Sequence, residues 1–381
     1  MSDFEVKVVR IEEPVEDHPN ADRLSLIKIG GYTCISAKLE DGSHRYKQGD
    51  LVVYIPESAV VPEWWLKANG FWDNDKDRGL LSGASRNRVK AVKLRGVFSQ
   101  GILQAVCLAE DDNGQYIEGE QGHYPNGQGY TKVEFVCEGD NVAEFLGITK
   151  YEPSVPQNMI GAMGALYGVT LKYDFDSIQK QPKLFGSTES VFVTEKLHGT
   201  NIQIGIVPGK YEDGEDVYVT SKGLGARGFN LKNTEDNDGN LYVKELRKLI
   251  ANGTINLIKM AYPNRNVRIF GEVYGYNVQD LSYGLAEPQL AVFDVMVDDE
   301  YLDPRDLNTF CHSFYLPMVP VLFVGTFDTT VLTNLRDGTD TISNSHVREG
   351  IVIKNVDGPR KIAKWVSPDY LLRKGDTTEY S

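Results

Sequence analysis

The chain has 381 residues, 41% of them hydrophobic and 25% charged, and carries a formal net charge of −14 at pH 7. That length holds two or three domains, each able to bury a core, and the composition is that of an ordinary soluble globular protein. The net charge argues against broad nonspecific attraction to nucleic acid. The four widely spaced cysteines signal neither a zinc site nor a disulfide framework, and no apolar run is long enough to span a bilayer.

Up to about residue 148, short runs with β propensity alternate with turns: Phe4 to Ile11, Leu24 to Ile29, Leu51 to Ile55, Val89 to Leu94 and Gly101 to Val106. This pattern predicts a small barrel or sandwich. Between Arg78 and Ala109 stand six cations, Arg78, Arg86, Arg88, Lys90, Lys93 and Arg95, and no acid, so positive charge is concentrated locally in an acidic chain. The plainer alternative is a solvated face. Trp64, Trp65 and Trp72 are expected in the core rather than on a base-stacking surface. His18 has no second ligand at metal spacing and is expected to stabilise the turn at Pro19 and Asn20. Cys34, Cys107, Cys137 and Cys311 are expected to be reduced core residues. Glu110 to Gly129 and Glu212 to Asp216 read as loops.

Two prolines, Pro153 and Pro156, mark a linker. The expected division is a β domain over 1–150, a linker over 151–171 and a larger α+β domain over 172–381. Within the last, Asp176 to Lys183 and Leu241 to Met260 read as helices, the second from apolar residues at Leu246, Leu249, Ile250 and Ile258.

The run Thr194-Glu195-Lys196-Leu197-His198-Gly199-Thr200-Asn201 places a lysine at a turn between two β-like stretches, 191–193 and 202–204. A lysine near its ordinary pKa of about 10.4 is a poor nucleophile, so a reactive one needs burial or nearby positive charge. Alone, Lys196 reads equally well as a solvated turn residue. Downstream, Ser221-Lys222-Gly223, Phe270-Gly271-Glu272, Val292-Phe293-Asp294, Arg348-Glu349-Gly350 and Lys364-Trp365-Val366 each set a chemically useful side chain in or at the end of a β-like run. Together they suit nucleotide handling: Lys222 and Lys364 for phosphates, Glu272 for a ribose hydroxyl, Phe293 for a base, Glu349 for a divalent metal.

This ordered set resembles motifs I, Ia, III, IIIa, IV and V of the covalent nucleotidyltransferases, the superfamily of ATP-dependent ligases and messenger RNA capping enzymes. Lys196 to Gly199 fits their KxDG motif with His198 in place of Asp, and EKxHGTN is similar to the RNA-editing branch of RNA ligases. Val366 stands where motif V has a second lysine, and Lys361 is the substitute on offer. In the first domain, His18 to Leu24 and Lys93 to Gly101 resemble the signature stretches of OB-fold transfer-RNA-binding domains. An OB domain ahead of the catalytic domain resembles the Deinococcus-type RNA ligases.

The resemblance implies an OB-like barrel followed by an ATP-grasp-like, antiparallel-sheet nucleotidyltransferase domain. It implies an RNA ligase that joins 5′-phosphate to 3′-hydroxyl ends through a lysyl-adenylate on Lys196, acting in RNA repair and using ATP with Mg2+ or Mn2+. The implied catalytic residues are Lys196, Lys364 and Glu349, with Glu349 on the metal. Glu195, His198, Gly199, Asn201, Lys222, Glu272, Phe293 and Lys361 join them around the nucleotide. The implied partners are RNA ends, transfer RNA among them, and the chain is expected to be a cytoplasmic monomer that seals ends without healing them. A DNA-nick ligase, or an RNA-binding protein with an inactive relic domain, are the alternatives.

Overall fold

The computed structural model describes residues 4–106, 121–126, 129–135, 137–152, 155–209 and 216–373, with 121–126 and 129–135 described as backbone. The described residues divide into two units, one drawn from 4–152 with 178–182, the other from 155–177 with 183–373.

In the first unit the strand Leu51–Ile55 pairs antiparallel with Lys7–Arg10 on one side and Ile102–Ala105 on the other. All five of its residues are buried, because successive strand side chains point to opposite faces and both faces here are covered. Val53 and Ile55 pack with Val6, Val8, Trp65 and Leu146. Val52 and Tyr54 pack with Ile27, Ile29, Tyr32 and Cys34, which come from the hairpin Leu24–Ile29 and Tyr32–Ala37. The expected strands are present, and Trp65 is core: it is fully buried, stacks on Phe71 and donates its indole N–H to Gln104. Trp64 and Trp72 pack against the same core.

The two signature stretches of this unit are tied to each other. Val92–Leu94 and Val97–Ser99 form a hairpin whose turn residues Arg95 and Gly96 both have positive φ, 48° and 91°. His18 is buried, with Nε2 3.1 Å from the carbonyl of Leu94 and Nδ1 accepting the Asn20 N–H. The Asn20 amide donates to the carbonyl of Arg95. His18 therefore holds a turn, as expected, and does so against the hairpin.

Some expectations change. Arg88 is buried with its guanidinium over the ring of Tyr151 at 3.6 Å, so it does not belong to a solvated cationic face. Arg78, Arg86, Lys93 and Arg95 are exposed. Cys34 and Cys311 are buried, but Cys137 is exposed, and Cys107 lies outside the described residues. Within the stretch read as a loop, Gln121–Asn126 pairs with Gly129–Phe135, because the second run carries enough β-forming residues to complete a hairpin. Residues 110–120, 127, 128 and 212–215 of the expected loops lie outside the described residues.

The second unit holds two antiparallel sheets. Seven strands run in the order Met163–Ala165, Phe229–Leu231, Val217–Ser221, Gly199–Ile206, Val267–Tyr274, Gln289–Val297, Glu300–Tyr301. Four run in the order Val321–Thr326, Ser190–Lys196, Gly350–Asn355, Ile362–Val366. One face of the larger sheet, carrying Ile202, Ile204, Val219, Ile269 and Val273, packs on helices Leu241–Ala251 and Thr254–Ala261. The expected single helix over 241–260 breaks at Gly253, whose φ of 85° no right-handed helix accommodates. Asp176 to Lys183 is not helical. Its backbone is spent elsewhere, since the Asp176 carbonyl accepts from Lys364 N–H and the Gln179 carbonyl accepts from Gly31 N–H. The segment 151–171, expected as a linker, contributes Met163–Ala165 to the edge of the seven-stranded sheet.

Gly350 sits in register between Lys196 and Val366. A Cβ there would lie 2.2 Å from the Trp365 carbonyl oxygen, so the strands approach too closely for any side chain. Gly350→Ala is expected to lower unfolding free energy by about 3 kcal/mol or more, read by urea denaturation.

Candidate active site

Lys196 ends the strand Ser190–Lys196, and two residues later Gly199 begins the first strand of the other sheet. The turn between them therefore joins the two sheets, and residues facing inward from each look into one cleft. On the four-stranded sheet, Lys196 shares its face with Thr194 and Phe192, and with their cross-strand partners Val352, Lys354 and Lys364. On the seven-stranded sheet the face opposite the helices carries Asn201 and Glu272, which are paired in register, and Phe270 paired with Asp294.

The Lys196 ammonium lies 3.0 Å from Glu349 Oε1, with its side chain 12% exposed and that of Glu349 1% exposed. Lys364 is buried two residues along the sheet from the Lys196 row, about 7 Å at strand spacing. Lys222 opens the helix Lys222–Ala226 and donates to Asp174 at 3.0 Å. Phe293 is the extra residue of a β-bulge: Gly271 pairs with Val292 and Phe270 with Asp294, which leaves Phe293 between them. Its ring lies 5.3 Å from that of Tyr173.

Three expected residues stand apart. The Glu195 side chain points to the face opposite Lys196, because neighbours on a strand alternate. Its buried carboxylate accepts from the Thr341 N–H and hydroxyl and lies 3.7 Å from Arg348, and burial pushes its pKa upward. Lys361 lies beside Asn355, five residues or about 17 Å along the sheet from the Lys196 row, and pairs with Glu189 at 2.8 Å. The structure places it away from the motif V position it was expected to fill. At that place Val366 is buried in the Lys196 row, where apolar packing has replaced a charge. His198 turns away from the cleft, and both its ring nitrogens meet protein partners, Asp280 Oδ1 at 2.7 Å and the Tyr370 hydroxyl at 2.8 Å.

The structure adds a cluster at Asp294 that motif reading left without a role. Its fully buried carboxylate accepts from the Tyr173 hydroxyl at 2.7 Å, lies 3.2 Å from the Lys354 ammonium and pairs with Arg360. Lys354 also donates to the Phe293 carbonyl at 2.6 Å. Burial pushes the Lys354 pKa down, against the pull of Asp294. Asp294 and Lys354 both stand in motifs visible in the sequence, but nothing local says that residues on different sheets meet.

Among the described residues no three His, Cys, Asp or Glu side chains gather as a metal cage. One buried carboxylate beside a lysine suits a small divalent ion that arrives with nucleotide phosphates and keeps most of its oxygen ligands from phosphate and water.

The RNA ligase family model matches residues 189–366, a span that includes Lys196, Lys222, Glu272, Phe293, Glu349 and Lys364. The larger unit carries an RNA ligase domain. An OB-fold domain model matches residues 6–106, so the ligase domain follows an OB-fold domain in the chain. A search of curated proteins finds no match. Among solved structures, a lysine-to-alanine mutant of Naegleria gruberi RNA ligase with ATP and Mn is similar at TM-score 0.70 and 22% identity. The match covers 96% of this chain and 98% of that one. The same ligase with PPi matches at TM-score 0.70 and 22% identity over 97% and 98% of the two chains. These likenesses establish the fold. No helix of the described residues is long and apolar enough to cross a membrane.

In the ligase domain Asp294→Ala leaves Lys354 and Arg360 facing each other without their anion. Breaking a buried pair from one side is expected to cost about 3–5 kcal/mol of unfolding free energy, read by urea denaturation.

Proposed function

We propose that this chain is an ATP-dependent RNA ligase that seals 5′-phosphate and 3′-hydroxyl ends through a lysyl-adenylate on Lys196. The observation that carries the reading is the Lys196–Glu349 contact of 3.0 Å, beside sheet faces that also carry Lys364, Asn201 and Glu272. A largely covered lysine beside one carboxylate, with a further lysine along the same sheet face, is a setting for attack on a phosphorus atom rather than for a solvated turn.

In this reading the Lys196 amine, once it has lost its proton, attacks the α-phosphorus of ATP. A nitrogen–phosphorus bond forms as the bond to pyrophosphate breaks. AMP next passes to the RNA 5′-phosphate, and the 3′-hydroxyl then displaces it. Each step is an in-line displacement, so positioning and charge neutralisation carry most of the catalysis. Lys364 and Lys222 neutralise phosphate oxygens, Glu272 accepts from a ribose hydroxyl, and the Phe293 ring packs on the base. Asn201 has a buried side-chain oxygen with no hydrogen-bond partner among the described residues, which suits a donor on the nucleotide. Glu349 would hold Mg2+ or Mn2+, which when bound offsets charge on the phosphates. The Naegleria ligase structures with ATP and Mn, and with AMP and Mn, support both ligand classes.

The OB-fold domain supplies the RNA contact in this reading, with the exposed cations Arg78, Arg86, Lys93 and Arg95 tracking the backbone. Repair of broken RNA is the corresponding task.

Incubation with α-labelled ATP and Mg2+ should leave label on the protein, EDTA should prevent it, and Lys196→Ala should reduce it below detection. Lys361→Ala should label within about threefold of the wild type, because an outlying, partly exposed ion pair contributes little. A wild type that never labels rules out the covalent mechanism. Nicked duplexes with ribose or deoxyribose at the 3′-hydroxyl side separate RNA from DNA sealing, and equal rates on both would favour the DNA-nick reading.

A further inference from the structure

His198 occupies the motif position where the superfamily pattern has aspartate, and it is anchored on three sides. Its backbone N–H donates to the Tyr283 hydroxyl at 2.7 Å. Nε2 lies 2.7 Å from Asp280 Oδ1, and Nδ1 lies 2.8 Å from the hydroxyl of Tyr370. A carboxylate only accepts, so the Nε2–H points to Asp280 and the Nδ1 lone pair is left to accept from Tyr370. Tyr370 is buried on the helix Pro368–Leu372, which follows the strand carrying Lys364. Burial, with the nearby Glu349 carboxylate, raises the Tyr370 pKa, which keeps its proton available for donation.

Asp280 is itself oriented. Arg373 bonds both its oxygens, and the same guanidinium lies 4.5 Å from the Tyr370 ring centroid. Burial would raise the Asp280 pKa, but the hydrogen bonds from His198 and Arg373, with the charge of Arg373, outweigh it and hold the carboxyl below its ordinary value. Thus Asp280, His198 and Tyr370 form one chain of hydrogen bonds that ends two residues from the nucleophile. Asp280 and Tyr370 both meet the turn at His198, and Tyr370 lies near enough to Glu349 and Lys196 to feel their charges.

We infer that Tyr370 and Asp280 are positioning residues for the adenylation step, acting through His198 to fix the Leu197–His198–Gly199 turn and so the aim of Lys196. The inference rests on the ligase reading above. It makes the helix Pro368–Leu372 part of the apparatus that presents the nucleophile, in addition to its place in the core. Removing the Tyr370 hydroxyl alone leaves the ring packing intact and frees the imidazole on one side.

The test measures single-turnover labelling by α-labelled ATP in the full chain, with Lys196→Ala as the blank. Tyr370→Phe should slow the maximal labelling rate about five- to tenfold, the worth of one hydrogen bond, while the ATP concentration for half-maximal rate stays within about twofold. Asp280→Asn, which keeps an acceptor for Nε2–H, should retain more activity than Asp280→Ala. In a His198→Ala background, Tyr370→Phe should cost nothing further, since the pathway is already cut. Thermal melting checks that each variant folds, and if Tyr370→Phe does not, the comparison of Asp280→Asn with Asp280→Ala decides. Wild-type labelling with an undiminished Tyr370→Phe rate, or equal loss with and without His198, overturns the positioning role alone. Absence of wild-type labelling overturns the ligase reading and this inference with it.

Discussion

The Asp294 carboxylate holds the two sheets of the ligase domain face to face. It is fully buried on the seven-stranded sheet and gathers Lys354 from a strand of the four-stranded one and Arg360 from the turn that follows it, with the Tyr173 hydroxyl completing the shell. Taking such a group out of water is costly, and a buried ion pair seldom adds much net stability over an apolar replacement. Its contribution here is geometric. An apolar interface between two sheets tolerates small slips, whereas a carboxylate with three directed partners does not. The same Lys354 that meets Asp294 also fixes the carbonyl of Phe293. The separation of the sheets and the place of the aromatic ring are thereby set by a single lysine.

Much of the ligase domain was legible because its chemistry falls in strands with clear β-forming neighbours. The order of Lys196, Lys222, Glu272, Phe293, Glu349 and Lys364 carried the resemblance, and the pairing of Lys196 with Glu349 brings the first of that order to the fifth. Strand alternation alone would have warned that Glu195 and Lys196 face opposite ways. What stayed hidden depends on chain reversal. Asp280 is 82 residues from His198, and Tyr370 is 172 away, with no periodicity to connect them. The place of Lys361 was hidden for a similar reason: it is three residues from Lys364 in sequence, yet it lies just before the strand Ile362–Val366 and towards the other end of the sheet. The helices were over-read where an apolar pattern ran through Gly253, and where Asp176 to Lys183 had backbone partners on strands.

The OB-fold domain was legible from its runs but not from its charges. A count of cations between Arg78 and Ala109 treats Arg88 as equivalent to Arg95, yet one is buried under Tyr151 and the other stands at an exposed hairpin turn. His18 illustrates the reverse case. A histidine without a metal partner looked unremarkable, and its two ring nitrogens turn out to join the signature stretches at Leu94 and Asn20.

The bulge at Phe293 separates what the sheet requires from what the cleft requires. Upstream of it the core-facing residues are Leu290 and Val292, and downstream they are Val295 and Val297, so the apolar phase changes from even to odd. The extra residue is Phe293, while the ladder on either side remains in register. Removing it would let Val292 and Asp294 follow one another in an unbroken strand with the core and the buried carboxylate both retained. The bulge is therefore an insertion into an otherwise continuous ladder, and the ring it adds packs on Tyr173, the same residue whose hydroxyl meets the buried Asp294.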